Sequence, residues 1–388
     1  MKAFEGVRIL DFTTFLAGPY LCRLLADLGA DVIKVESEMP EAYRMLSFAF
    51  ATQNMNKKSI SLDLKKVQGK TIIVELIKRS NMIVENSRPG VMQKLGLDYG
   101  SCKKIKPDII YISTSGFGTR GPLANLPGLD PMMAGFSGQT TSTCGPSNPP
   151  IYPKVNVSDV GISALGAFGA TLALFAYAKT GKGQKVDTSL LHAALASGTH
   201  LFIDFPGIKR SYIDEKYPKG KSATSRLYCG IDGKWFFINC NTEEDWQNLC
   251  KSTCLNNLIS DPRFATPQAR LKNDEALAQI LSDSFALSYT DSWVFLLSSN
   301  KVPAVPALYE QELYNNVHFT ENNVFIEQDH PDLGHAQLVG FPAEFNNMEN
   351  VLDRRAPLLG EHTGKILSEL GYTQEQIEKL KNDKVVFW

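Results

Sequence analysis

Between residues 7 and 118, short apolar runs alternate with segments of helical spacing, and this alternation constrains the fold more than any other feature of the chain. VRILDF (7–12), DVIKVE (31–36), KSISLDL (58–64) and NMIVEN (81–86) read as strands. AGPYLCRLLADLGA (17–30) reads as a helix closing on Gly29, and QGKTIIVELIKRS (68–80) as an amphipathic helix. PGVMQKLGL (89–97) predicts a helix with proline in its first turn, and DIIYISTSGFG (108–118) a strand running into a glycine loop. Apolar strands that alternate with helices are joined by crossovers, so the pattern predicts an α/β fold built on a parallel, doubly wound sheet.

The pattern changes near residue 225. SRLYCGIDGKWFFINC reads as two strands around a turn at Asp232-Gly233, since Asp-Gly favours hairpins, and EEDWQNLCKS and NDEALAQILSDSFAL read as helices. With 388 residues the chain exceeds the usual size of one domain. The expected layout is a large domain over 1–205, a smaller α+β domain over 225–325, and a segment over 330–388 that returns to the large domain. Within the last, TQEQIEKLKND predicts a helix capped by threonine.

Charge narrows the function. Forty basic and 41 acidic residues leave a net charge of −1, without the overall basicity of a nucleic-acid binder. The seven cysteines form no CxxC pair and are odd in number, as expected of reduced thiols in a cytoplasmic protein. MKAFEGVRILDF reads as a strand rather than an apolar leader. Val160 to Ala178 carries no charge over 19 residues, near the length of a membrane span. It is rich in Gly and Ala and interrupted by Ser163 and Thr171, so a helix buried in a soluble domain is expected, with no membrane partner.

Asp159 stands where the extended segment YPKVNVS gives way to this apolar helix. The position reads as an N-cap, where a carboxylate accepts backbone N–H groups and is favoured by the helix dipole. Gly161, Gly166 and Gly169, costly inside a helix at roughly 1 kcal/mol each, indicate a demand for close approach. A carboxylate here has two readings: a structural cap, or a nucleophile that attacks a thioester carbonyl, gives a mixed anhydride and then carries the returning thiolate. The N–H groups of Ser115-Gly116-Phe117-Gly118, or of the helix start, are candidate oxyanion donors. Basic groups at strand ends, Lys57, Lys58, Lys65, Lys66, Arg88 and Lys94, with Asn86 beside them, are candidate anion ligands. The first strand–helix turn, TTFLAGP, lacks GxGxxG, which disfavours a dinucleotide dehydrogenase. The six histidines have no metal-ligand spacing, and no GxSxG elbow is present. Met132, Met133, Phe136, Phe202 and Phe205 read as either core or the wall of an acyl pocket.

The ordered segments FEGVRILDFTTFLAGPYLCRLLADLGADVIKVE, NKKSISLDLKKVQGK, VENSRPGVMQKLGL, SGFGTRGPLANLPGLD, SDVGISALGAFGATLALFAYAKTGKGQKVDTSLL, DPRFATPQAR, KVPAVPALYEQEL and APLLGEHTGKILSELGYTQEQI resemble, over nearly the full length, the class III coenzyme A-transferases. That family includes formyl-CoA transferase, carnitine CoA-transferase and the α-methylacyl-CoA racemases. The resemblance implies a Rossmann-like CoA-binding large domain, a smaller domain and an interlocked homodimer. It implies an enzyme with coenzyme A as substrate, no tightly bound cofactor, and an acyl-CoA and a small carboxylic acid as partners. It puts Asp159 at the nucleophile's position and Asn86, Ser87, Arg88 and Leu62 to Lys65 at CoA contacts. Lys94 stands where members often carry arginine, and Leu126 to Leu129, Gly128 among them, match a further CoA-contacting stretch.

Leu16 falls at a CoA-site position where formyl-CoA transferase has glutamine, so that side chain's role does not carry over. Ser37 replaces an arginine near the adenine end, where Arg44 could substitute. No glycine-rich lid like that of formyl-CoA transferase is found. The racemases carry histidine before the Asp that here is Asp130, whereas this chain has Leu129, which moves no proton. Transfer is therefore expected, with an epimerase as the alternative.

Overall fold

The computed structural model describes residues 2–144, 148–207, 219–348 and 354–388, which form two compact units. The first comprises Met1–Gln139, Tyr152–Asp204 and His318–Trp388. Its strands β1 (Arg8–Asp11), β2 (Asp31–Glu36), β3 (Lys58–Leu62), β4 (Met82–Glu85), β5 (Ile110–Ser115) and β6 (Lys185–Ser189) are all parallel, in the order 3-2-1-4-5-6. This is the Rossmann strand order, with its reversal between β1 and β4.

Alternation along the strands builds two cores. Leu10, Ile33, Ile60 and Ile83 face the helix Val67–Lys78, whose Ile72, Ile73, Leu76 and Ile77 they bury. Their neighbours Ile9, Val32, Met82 and Val84 face the opposite way, onto Leu21, Cys22 and Leu25 of the helix Ala17–Asp27 and onto Ala170 and Ala173. Burial on both faces puts apolar residues at successive positions, as in Ile9-Leu10, Val32-Ile33 and Met82-Ile83-Val84, while β3 alternates the buried Ser59 and Ser61 with Ile60 and Leu62.

The second unit, Thr140–Ile151 with Phe205–Val317, has its own sheet and core. β7 (Gly220–Ser222), β8 (Ser225–Cys229), β9 (Trp235–Asn239) and β10 (Ala304–Pro306) pair antiparallel in the order 10-9-8-7. The Asp232-Gly233 turn joins β8 to β9, with Gly233 at φ 73°. Back in the first unit, β11 (Phe325–His330) and β12 (Gly334–Val339) form a hairpin. β13 (Val386–Phe387) adds antiparallel to the outer edge of β3, pairing Val386 with Leu62. The helix Gln374–Asn382 before it opens with a capping box on Thr373.

Three local expectations are corrected. The helix after β4 begins at Val91, not at Pro89, because Gly90 takes a left-handed φ of 85°. The long apolar helix spans Val157–Thr180, so Asp159 lies in its first turn rather than at its cap, which is Asn156. That helix is also not buried all round. Ile162, Gly166, Ala170 and Ala173 face inward, with Leu21 packed directly on Gly166, while Val160, Leu165, Phe168, Leu172 and Phe175 form an exposed stripe. Its lack of charge reflects two apolar faces, one of which the chain covers itself. By length and composition it is the one helix among the described residues able to cross a membrane.

Candidate active site

At the reversal of strand order, the loops after β1 and β4 meet, and the sequence ties them together. Asn86 Oδ1 accepts the Thr14 N–H at 2.9 Å, and its Nδ2 donates to the Thr14 carbonyl at 2.7 Å. Asp11 accepts the Thr13 N–H at 2.8 Å, and Lys34 Nζ donates to the Thr13 carbonyl at 2.8 Å. Lys34 also pairs with Glu41 at 2.8 Å, whose other oxygen accepts the Phe15 N–H at 2.8 Å. Phe15 is thereby held at φ 64°, a left-handed conformation costing a bulky residue roughly 1–2 kcal/mol. Its ring meets Tyr43 edge-on, 5.6 Å between centroids. Leu16 follows at the start of the helix Ala17–Asp27 and makes no side-chain cap, leaving the first N–H groups of that helix without one.

Asp159 is tied to this loop through the backbone. The Ser163 hydroxyl lies 2.7 Å from both the Ala17 and the Asp159 carbonyl oxygens. The Asp159 N–H donates to Asp130 Oδ2 at 2.9 Å, and Asp130 is buried at the start of the helix Asp130–Phe136. No described hydrogen bond or ion pair uses the Asp159 carboxylate. Burial, and then the like charge of Asp130, push its carboxyl up to about 7. A side chain capping its own helix would instead be held down by N–H donors. Burial, then the Asp159 and Glu41 carboxylates, raise the Tyr43 phenol. The adjacent Ser158 hydroxyl is buried with no partner among the described residues.

A cleft of about 390 Å3 opens where β4 and β5 end. Ser87, Arg88, Gln93, Tyr99, Ser115 and Lys185 line it, and Glu85 sits at its floor, accepting from the Ser113 hydroxyl and from the Ser87 N–H at 2.8 Å. Burial raises the Glu85 carboxyl against those bonds. Arg88 is exposed and has no ion pair among the described residues, whereas Lys185 pairs with Asp187 at 2.6 Å.

The sequence-derived residues divide accordingly. Ser87 and Arg88 share the cleft, and Asn86 sits beside it but spends its amide on Thr14. The Leu62 side chain lies in the core and its strand is paired on both sides, with β2 and with β13, so the expected contact at Leu62 is not open to a ligand. Lys65 and Lys94 are exposed outside the cleft. Gly128 packs backbone to backbone on Gly116, where a Cβ on Gly116 would come within 2.5 Å of Gly128 Cα. The Gly118 N–H is already given to Ser115 Oγ at 3.1 Å, so that loop loses one expected oxyanion donor. Met133 belongs to the core, while Met132 and Phe136 are exposed. Sequence reasoning gave no role to Asp130, Tyr43 or the Lys34–Glu41 pair. Asp130 was legible only as the acid after Leu129, and nothing in EAYRM marks Glu41 or Tyr43. Among the described residues no group of three or more His, Cys, Asp or Glu side chains is placed to hold a metal.

Comparison with known proteins places these residues in context. Residues 4–363 match CoA-transferase family III. The chain is 33% identical to the succinyl-CoA:glutarate CoA-transferase of Mus musculus, over 98% of its own length and 89% of that protein's. It is 29% identical to the formyl-CoA:oxalate CoA-transferase of Streptomyces avermitilis, over 99% of this chain and 100% of that one. The crystal structure of a CaiB/BaiF family protein from Brucella suis matches with a TM-score of 0.86 at 28% identity, covering 95% of this chain and 99% of that one.

Proposed function

This chain belongs to CoA-transferase family III and is an enzyme of the CoA-transferase class, and from that premise we propose that it moves coenzyme A from an acyl-CoA to a carboxylic acid through covalent attachment to Asp159. One observation carries the reading: a half-buried carboxylate, raised to about 7 and unused by cap or ion pair, at the switch point of a Rossmann-ordered sheet. An Asp159 oxygen attacks the thioester carbon, the C–S bond breaks, and a mixed anhydride and the CoA thiolate result. The thiolate then attacks the Asp159 acyl carbon, releasing the donor acid and leaving coenzyme A on Asp159 as a thioester. The acceptor carboxylate attacks that thioester, and the freed thiolate takes its acyl group, restoring the Asp159 carboxylate. Protons balance without a general acid. We assign the oxyanion to the open N–H groups at the start of the helix Ala17–Asp27.

We place the charged portion of coenzyme A near Arg88, with Ser87, Lys65 and Lys94 as further contacts, because open strand ends with basic groups suit phosphates. Leu16 and Gly128 would flank the thioester through their backbones. Coenzyme A is then substrate, and no tightly bound cofactor is proposed. No observation favours an epimerase, and Leu129 supplies no proton. With an acyl-CoA and a second acid, a new CoA ester should accumulate one for one with loss of the first. Release of free coenzyme A at the same rate, with or without acceptor, would mark a hydrolase instead.

We further propose an interlocked homodimer in the cytoplasm. The stripe from Val160 to Phe175 supports the dimer, since contiguous exposed apolar surface is a liability unless covered. A chain of 42.9 kDa should sediment as a dimer at micromolar concentration, and Phe168→Glu should shift it toward monomer. A wild-type monomer would contradict this assembly.

A further inference from the structure

Building on the Asp159 reading, we propose that the acid served here is a monocarboxylic acid with an apolar aliphatic or aryl chain, seated on Phe15, Tyr43 and Leu129, and not a dicarboxylic acid of the kind named for the relatives. A second carboxylate needs a cation or a set of donors once it leaves water. Apart from Arg88 on the β4 loop, which the reading above gives to coenzyme A, the described cations packed around the β1 loop are already paired. Lys34 is on Glu41 at 2.8 Å, Arg44 on Glu36 at 2.6 Å, and Lys57 on Asp11 at 2.8 Å. The acids are the uncompensated groups. Asp130 holds the Asp159 N–H, and no described cation contributes to the raised state of the Asp159 carboxyl. A dianionic acyl acceptor would therefore bring its distal charge toward like charge.

What the site does present is apolar and unburied. Leu129, next to Asp130, is 54% exposed, and Phe15, next to the helix start tied to Asp159, is 46% exposed. Phe136, one helix along, is 59% exposed with its ring edge-on to Phe117 at 5.6 Å. Tyr43 closes the set, with its ring against Phe15. Its phenol makes no described hydrogen bond to Asp159, and its ring adds apolar wall to the seat. Apolar walls with a few placed polar groups are the usual make-up of a small-molecule site.

The test compares valeryl-CoA with glutaryl-CoA, which share a five-carbon chain and differ by the distal carboxylate, as donors charging Asp159 in the full-length protein without acceptor. The expected rate constant per unit donor concentration is at least about 100-fold higher for valeryl-CoA. Equal charging, or faster charging by glutaryl-CoA, overturns the proposal while leaving the Asp159 reading intact. Charging of a different residue by either donor ends both. Leu129→Lys, a change at an exposed position, should raise glutaryl-CoA charging at least about 10-fold without raising that of valeryl-CoA. An unchanged ratio in a folded variant removes Leu129 from the acyl site and overturns the assignment.

Discussion

Replacing Asp159 with Asn should lower transfer by at least about 10^3-fold, since a neutral amide replaces the attacking carboxylate and the neighbouring Asp130 carboxylate is engaged with the N–H of residue 159. The same variant should be more stable than the wild type at pH 8. The folded-state pKa of about 7 lies above the ordinary 3.8, so the native chain holds this proton more tightly than the unfolded one. The resulting stabilisation is complete below about pH 4 and is lost as pH rises through 7. At pH 8 the ionised carboxylate costs a few kcal/mol by the pKa difference, roughly 1.4 kcal/mol per unit and less with solvent screening. Asparagine carries no such charge, so the melting-temperature difference between variant and wild type should widen from pH 5 to pH 8. A variant less stable at pH 8 than at pH 5, relative to wild type, would contradict the assigned burial. The charging rate of the wild type should rise with pH to a midpoint near 7. Asp130→Asn, which keeps an acceptor for the Asp159 N–H but removes the like charge, should move that midpoint down.

The largest expected loss of stability is at Lys57. Its side chain and that of Asp11 are fully buried and 2.8 Å apart, and Lys57 Nζ also donates to the Pro19 carbonyl and to Asn54 Oδ1, each at 2.8 Å. Lys57→Ala leaves the Asp11 carboxylate buried without its cation, a loss of about 3–5 kcal/mol. It also frees the turn at Pro19 and, through Asp11 and Thr13, the loop that holds Phe15. Chemical denaturation of the variant should show the shift, with charging of Asp159 slowed at temperatures where the chain is still folded. Replacing both partners by apolar residues, Lys57→Met with Asp11→Leu, should recover much of the stability but not the loop. A single Lys57→Ala variant losing under about 1 kcal/mol would show the pair to be dispensable.

The first five parallel strands were legible, several of them because they are buried on both faces, whereas the edge strand β6, KVDTS, is largely unburied, carries no apolar run and was not read as a strand. Ile9 and Leu10, Val32 and Ile33, and Met82 and Ile83 point to opposite cores, so each of these strands shows adjacent apolar residues rather than alternation. Asp159 was legible as an acid at the head of a glycine-rich helix. Its register was misread by a fraction of a turn because Val157 and Ser158 fit an extended segment as well as a helix start. The exposure of the helix's far face was hidden, since a stripe awaiting a partner has the same composition as one facing a core. The network Lys34–Glu41–Phe15 joins residues separated by loops, and no periodicity records which acid a buried lysine will meet. Asn86 was legible as a polar residue at a strand end, but its use on the Thr14 backbone depends on how two loops converge.

Covalent attachment to Asp159 is tested most directly by peptide mass spectrometry of the chain after incubation with an acyl-CoA and no acceptor. Coenzyme A should be found on the peptide containing Asp159, convertible by hydroxylamine to a hydroxamate at that residue and absent from Asp159→Asn. Transfer activity with coenzyme A on Asp130, on Glu85 or on no residue at all would contradict the account.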